Sequence, residues 1–197
     1  MIVDLALAIF AGYSLSRYRY PGRKTIMTLT LSAQVFPTVV IIISLYSLFS
    51  KLKLMNSYQG LMLADVAMSL PLSVWMMKSF FDTIPVSLDE AAKIDGCGRF
   101  QTLVDVILPM MKPGIYAVGI YSFLMAWDDF VFSKVLINVN DKKTLTVGIA
   151  ESFLGEFSHN YAGMMALAVV AALPIVIIFI VFQKFLISGM TAGAVKE

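Results

Sequence analysis

Residues 25–50 form a run of 26 residues without one charged side chain. A run of that length sharply limits what the chain can fold into. About 20 predominantly apolar residues cross the roughly 30 Å hydrocarbon core of a bilayer as a helix. Inside lipid, every backbone N–H and C=O must then bond within the helix. The run has companions. Residues 54–77 carry one acid, Asp65; residues 111–133 are apolar after Lys112 until Trp127, Asp128 and Asp129; residues 157–183 are uncharged with His159 neutral. A shorter run, residues 5–16, stops at RYRYPGRK, where Arg17, Arg19, Arg23 and Lys24 surround Pro21-Gly22. Asp4 interrupts its start and no basic segment precedes it, so it lacks the pattern of a signal peptide. The expectation is an all-α membrane protein with about five helices.

Composition agrees. The chain is 59% hydrophobic and 14% charged, against about 45–50% and 25% for soluble domains. A net charge of +2 without a basic, aromatic-laced stripe gives no reason to expect nucleic acid. A single cysteine, Cys97, excludes an internal disulfide framework, and a single histidine, His159, builds no metal site by itself. No Walker-type glycine loop is present, so ATP chemistry would have to come from another chain.

Alternation of five spans divides the cations unequally. One face collects Arg17, Arg19, Arg23, Lys24, Lys78, Lys93, Arg99, Lys112, Lys184 and Lys196, ten in all; the other receives Lys51, Lys53, Lys134, Lys142 and Lys143, five in all. Lysine and arginine concentrate on the cytoplasmic side of membrane proteins, which puts the basic face and the C-terminus in the cytosol. The polar insert between the third and fourth runs, residues 85–113, falls on that face. Ser87 followed by Glu90 matches a capping box. A helix to about Asp95, a turn at Gly96 and Gly98, and a second helix to Leu108 follow. The second helix places Phe100, Leu103, Val104 and Ile107 on one face, with Glu90, Lys93, Asp95 and Arg99 left outward. By physics alone such a helix pair either rests among lipid headgroups or docks into a partner's groove.

EAAKIDGCGRFQTLVDVILPMMKP closely resembles the EAA signature of binding-protein-dependent ABC importer permeases, with Glu90, Ala91, Ala92, Asp95, Gly96, Leu108 and Pro109 at the signature positions. GYSLSRYRYPGRK resembles the loop before that family's next span. AWDDFVFSKVL resembles a Trp-Asn-Glu-Phe segment of its carbohydrate branch, and GMTAGAVKE resembles the tail of the maltose-type and glycerol-phosphate-type subunits. Two departures stand out: Cys97 where alanine is usual, and Asp128-Asp129 for Asn-Glu.

The resemblance implies a type I importer transmembrane domain over residues 1–197, with about five helices of a usual six. It also implies an N-terminally shortened chain and a cytosolic coupling helix pair over residues 85–113. Those seven signature residues would transmit closure of a cytosolic ABC ATPase dimer to the membrane helices. ATP and magnesium would be bound by that ATPase and no cofactor by this chain. The remaining implied partners are a second permease subunit, an extracellular or periplasmic solute-binding protein and membrane lipid. The implied location is the inner membrane of a prokaryote, and the implied cargo a sugar or sugar derivative. A permease for another small solute, or an integral membrane enzyme or scaffold using the insert as an interfacial element, is the alternative.

Candidate pathway residues are Asp65, Tyr121, Trp127, Asp128 and Asp129. Asp65 is an ionisable group within a span, which is rare and often functional, or else a residue near the outer interface. Trp127 beside two acids suits stacking on a sugar ring and accepting hydroxyl hydrogen bonds, or equally an interfacial belt followed by solvated charges. Gln34, Ser32 and Ser122 either line the cavity or bond between helices. Pro37, Pro71 and Pro174 are expected to kink their spans.

Overall fold

The computed structural model describes residues 1–154 and 160–194, with side chains through residue 182. His159 and the tail segment's side chains lie outside the described residues.

Helix α1 (Ile2–Arg17) and helix α4 (Tyr58–Asp82) lie side by side and run parallel. Their register is written in polar contacts. Asp4, fully buried, accepts from the Ser69 hydroxyl at 2.9 Å and from the Ser73 hydroxyl at 2.7 Å. At the other end the Ser16 hydroxyl donates to Asp82 at 2.7 Å. Between them Gly12 lets the backbones approach: a Cβ there would sit 3.0 Å from both Lys78 N and Met77 Cβ. Small residues at such crossings are how membrane helices pack closely where no hydrophobic force drives them together. Asp4, read only as a break in an apolar run, is thus an interhelical fastener.

Two parallel helices end on the same face, so the chain between them must cross once. It does so in two pieces. Helix α2 (Arg23–Ser32) runs into a 3₁₀ turn (Ala33–Val35), and helix α3 (Thr38–Lys51) leaves at 98° to that line. Phe36 is extended, as the residue before a proline prefers, and Pro37 brings no N–H to continue the ladder. The expected kink at Pro37 is therefore a break. Pro71 and Pro174, by contrast, lie inside continuous helices.

After α4 come helix α5 (Ser87–Ile94), helix α6 (Arg99–Gln101), a π-helical stretch (Thr102–Ile107) and helix α7 (Leu108–Met110). Helix α8 (Lys112–Trp127) turns away from this run by 84°. Helix α9 (Val131–Leu136), a 3₁₀ turn (Asn140–Lys142) and helix α10 (Leu145–Phe153) lead to helix α11 (Tyr161–Ala194). Helix α11 returns antiparallel to α8: the Trp127 indole N–H donates to Ala171 O at 3.2 Å, and the Tyr116 and Phe182 rings lie 5.4 Å apart. The α4 helix and residues 161–182 are long and apolar enough to cross a membrane, as is the broken α2–α3 pair taken as one span. At about 1.5 Å per residue, α1 covers about 24 Å, short of a full crossing, as its run length implied.

The face opposite the insert is held by one backbone turn. Asn56 adopts the left-handed conformation (φ 55°), its N–H donates to Leu136 O at 2.9 Å and its Oδ1 accepts from Asn138 N at 2.6 Å. The Lys142 ammonium donates to Asn56 O at 2.9 Å. Asparagine tolerates that conformation far better than most side chains. Below this turn Ile42, Phe49, Leu61, Phe132, Leu136 and Ile137 form one buried cluster. A second cluster, including Tyr13, Met77, Phe81, Leu103, Ile107 and Val118, lies at the insert end.

Two local expectations about the insert are corrected. Ser87 is no cap: α5 begins at Ser87 itself, and the N–H groups of Asp89 and Glu90 bond Val86 O at 3.0 and 3.2 Å. The Pro85-Val86 turn starts the helix early enough that the Ser87 backbone is already helical. The second arm does not present one four-residue apolar face. Five-residue spacing in the π stretch turns Leu103 and Ile107 inward, at 3% and 0% exposure, and leaves Phe100 and Val104 outward at 67% and 39%. Glu90, Lys93, Asp95 and Arg99 are exposed, as expected.

Candidate functional site

The insert is a helical hairpin closed by Gly96, whose φ of +85° lies in the left-handed region. No heavy atom lies within 4 Å of where a Gly96 Cβ would point, so the turn is open toward solvent. Glu90, Ala91, Asp95, Gly96 and Pro109 are exposed, while Leu108 is half-buried. Ala92 departs from the set. It is buried at 4% exposure, so its smallness serves approach to this chain's own helices.

The hairpin's inner side carries an ion pair that sequence reasoning missed. Asp89 accepts from the Tyr13 hydroxyl at 2.8 Å. Its other oxygen lies 2.9 Å from Arg17 Nε, an ion contact whose angle falls short of a hydrogen bond. Arg17 Nη2 also donates to Ile84 O at 2.9 Å, and both charged side chains are only 7% exposed. Asp89 and Arg17 are 72 positions apart, and no local spacing signals such a partner. The one available hint was the acid beside Glu90, which reads as first-turn charge complementing the helix dipole.

At the far end of the bundle, the 3₁₀ turn Ala33–Val35 with α3, α4, α8, α9 and α11 surrounds a cavity of about 820 Å³. That falls within the usual range of small-molecule sites, about 300–1,000 Å³. Asp65, Tyr121, Asp128, Asp129 and Gln34 line it, so four of the five candidate pathway residues meet there. Trp127 does not line it. Its N–H is spent on α11 and its ring stacks on Phe123 at 5.3 Å, which makes it a tie between helices. Ser122 is buried between helices, and the Ser32 hydroxyl donates to Thr28 O at 2.7 Å in its own helix.

The two adjacent acids differ. Asp129 caps α9, accepting from Phe132 N at 3.1 Å and Ser133 N at 2.8 Å, while its carbonyl accepts from Thr146 Oγ1 at 2.6 Å. Asp128 is exposed, and its carboxylate makes no hydrogen bond among the described residues; only its backbone N–H is engaged, with Leu124 O at 3.0 Å. Losing a side-chain cap costs about 1 kcal/mol. Asp129→Ala is therefore expected to lower unfolding stability by about that amount, and Asp128→Ala to leave it unchanged, in paired thermal melts of detergent-solubilised protein. On α10, Glu151 pairs with Lys134 and Lys143; the hydrogen bond from Lys134, then that from Lys143, holds its carboxyl below the usual glutamate range.

Comparison with known proteins fits this arrangement. Residues 5–192 match the family model described as binding-protein-dependent transport system inner membrane component. The trehalose/maltose transport system permease protein MalG of Thermococcus litoralis is 35% identical over 197 residues, covering 99% of this chain and 70% of its own length. The sulfoquinovosyl glycerol transport system permease protein SmoH of Agrobacterium fabrum is 35% identical over 98% of this chain and 68% of its own. The maltodextrin transport system permease protein MdxG of Bacillus subtilis is 33% identical over 100% and 70%. Among solved structures, a bacterial ABC transporter involved in import of the acidic polysaccharide alginate superposes with a TM-score of 0.72 at 20% identity, over 93% of this chain and 71% of that one. By sequence and by fold, the chain is a multi-pass permease component that belongs to the family of binding-protein-dependent transport system inner membrane components.

Proposed function

We propose that this permease imports a sugar or sugar derivative and is driven by a separate ATPase that seats the hairpin of residues 85–113. The observation that carries the cargo half is the cavity. Carboxylates of Asp65 and Asp128, the Tyr121 hydroxyl and the Gln34 amide converge on one volume of about 820 Å³. Hydrogen-bonding groups of this kind suit a polyhydroxylated solute, and the relatives named above transport carbohydrate-type cargo. What supports the motor half is the exposed row Glu90, Ala91, Asp95 and Gly96 on a face rich in lysine and arginine. That face is the cytosolic one in this reading, and the C-terminus lies there too.

The working assembly contains a second permease subunit, two copies of the ATPase and an external solute-binding protein. ATP and magnesium belong to the ATPase. Glu90 supplies a charge for register on the docked helix, Ala91 the close approach, and Gly96 a turn without bulk. As the ATPases close and open, the cavity is exposed to alternate sides.

The complete complex in proteoliposomes tests both halves. An ATPase subunit is expected to co-purify with the permease, and its hydrolysis to rise with binding protein loaded with a neutral oligosaccharide. Asp128→Ala is expected to keep the complex assembled while raising the sugar concentration needed for half-maximal transport. Failure of any ATPase to co-purify would overturn the motor half, and stimulation by amino acids or peptides instead of sugars would overturn the cargo half.

A further inference from the structure

Chain connectivity explains how a push on the hairpin reaches α4 and α8, because residues 83–86 and 111 join them directly. It does not explain how α1 would follow. That helix ends 70 residues before α5 begins and is joined to the hairpin only through space. The contacts are nonetheless specific and of three chemical kinds. Asp89 holds the Tyr13 hydroxyl and the Arg17 guanidinium. Arg17 reaches Ile84 O, just before the hairpin. On the second arm, the Arg99 guanidinium lies 5.4 Å from the Tyr18 ring centre and Phe100 stacks on Phe10 at 6.5 Å.

From these contacts we infer that Arg17 and Asp89 are positioning residues for transport, a buried charged joint through which the hairpin moves α1 together with α4. The inference rests on the reading that the hairpin docks on an ATPase. An apolar contact resists compression but parts with little resistance when its halves are drawn away from each other. A charged pair differs: separating Asp89 from Arg17 would leave two buried charges uncompensated, which proteins avoid strongly. The joint therefore transmits pulling as well as pushing, and a motor that opens and closes requires both. Tyr13 and Ile84 O fix the angle, since the Nε–Oδ2 contact itself is not aligned.

The test uses the complete transporter in proteoliposomes, reading ATP hydrolysed per cargo molecule moved. Asp89→Asn keeps an acceptor for Tyr13 but removes the charge. It is expected to raise that ratio about fivefold or more, the low end of typical coupling effects, with the complex still assembled. Tyr13→Phe, which removes only a hydroxyl, is expected to raise it less. Independently, spin labels at Leu7 and Lys93, both exposed, on a Cys97→Ser background should report one α1–hairpin distance with and without nucleotide in the wild type. In Asp89→Asn the distance should differ between the two states. A wild-type distance that changes through the cycle, or an assembled Asp89→Asn transporter with normal coupling, would overturn the joint. Glu90→Lys, on the outer side of the same helix, separates the two claims. If it uncouples while Asp89→Asn does not, only the joint fails; if neither uncouples, the docking reading fails as well.

Discussion

Leucine at position 114 should stop the permease from accumulating as a folded, monodisperse protein. Gly114 lies in the first turn of α8, and a Cβ there would stand 2.7 Å from Phe80 Cγ and 2.9 Å from Phe80 Cβ. A rotamer change cannot relieve the second contact, because the Phe80 Cβ is fixed to the α4 backbone. Two magnitudes compete for alanine. Helix propensity favours it over glycine by about 1 kcal/mol, whereas overpacking costs about 1–3 kcal/mol. Gly114→Ala should therefore be mildly destabilising, and Gly114→Leu, which adds three more carbons to an occupied space, severely so.

Gly119, farther along the same helix, is the internal control. Its nearest neighbour would be Leu5 Cδ2 at 4.0 Å, an ordinary contact, so Gly119→Ala should melt at or above the wild-type temperature. Phe80→Ala combined with Gly114→Leu should recover part of the loss, because the clash is pairwise. Size-exclusion profiles and thermal melts in detergent read all four. A Gly114→Leu protein as stable as wild type would mean that α4 and α8 do not approach as described.

A second large effect is expected at Gly96, and its chemistry is different. Here the environment is open and the backbone is the constraint. The left-handed conformation costs a side-chain-bearing residue about 1–2 kcal/mol, and about 1.4 kcal/mol is tenfold in an equilibrium. Asparagine accepts that region readily, so Gly96→Asn should retain the hairpin and most transport. Gly96→Val, β-branched, should loosen the hairpin and lower coupled transport about tenfold, the conversion of that strain. Gly96→Trp carries the same backbone strain and also adds bulk at a tip that nothing in this chain contacts. It should leave the membrane helices folded by circular dichroism yet uncouple ATP hydrolysis from transport more fully than Gly96→Val. Coupled transport by Gly96→Trp in vesicles would remove the tip from the docking surface.

What the residues revealed beforehand follows the range of the forces involved. Spans are set by local hydropathy, so α4 and residues 161–182 were legible, and so was the shortness of α1. The run over 111–133 was read too long, since α8 holds 16 residues and reaches spanning length only together with the bent segment before it. The hairpin was legible because glycine and proline act at single positions. The Ser87 cap was misjudged because Pro85 and Val86 start the helix one residue sooner than the serine pattern implies. The π stretch escaped because an α period was assumed for Phe100, Leu103, Val104 and Ile107. Pairings across the fold, Asp89 with Arg17 and Asp4 with Ser69 and Ser73, have no local signature at all. Trp127 shows the same limit from the other side: aromatic beside acids describes its neighbours in sequence, while its indole is committed to a carbonyl of α11.

Asp4 also says something about how the protein is made. Its two hydroxyl partners lie near the middle of α4, so the carboxylate belongs at mid-depth in the bilayer. Placing an aspartate there on a lone helix costs about 2.5–3.5 kcal/mol. Ser69 and Ser73 are synthesised 65 and 69 residues after it, which at about 5–20 residues per second is a delay of several seconds. During that interval the acid lacks both hydroxyls that hold it in the folded chain. The contact that seats α1 against α4 is completed only once the later helix has been made, which ties the final placement of the earlier helix to the arrival of its neighbour.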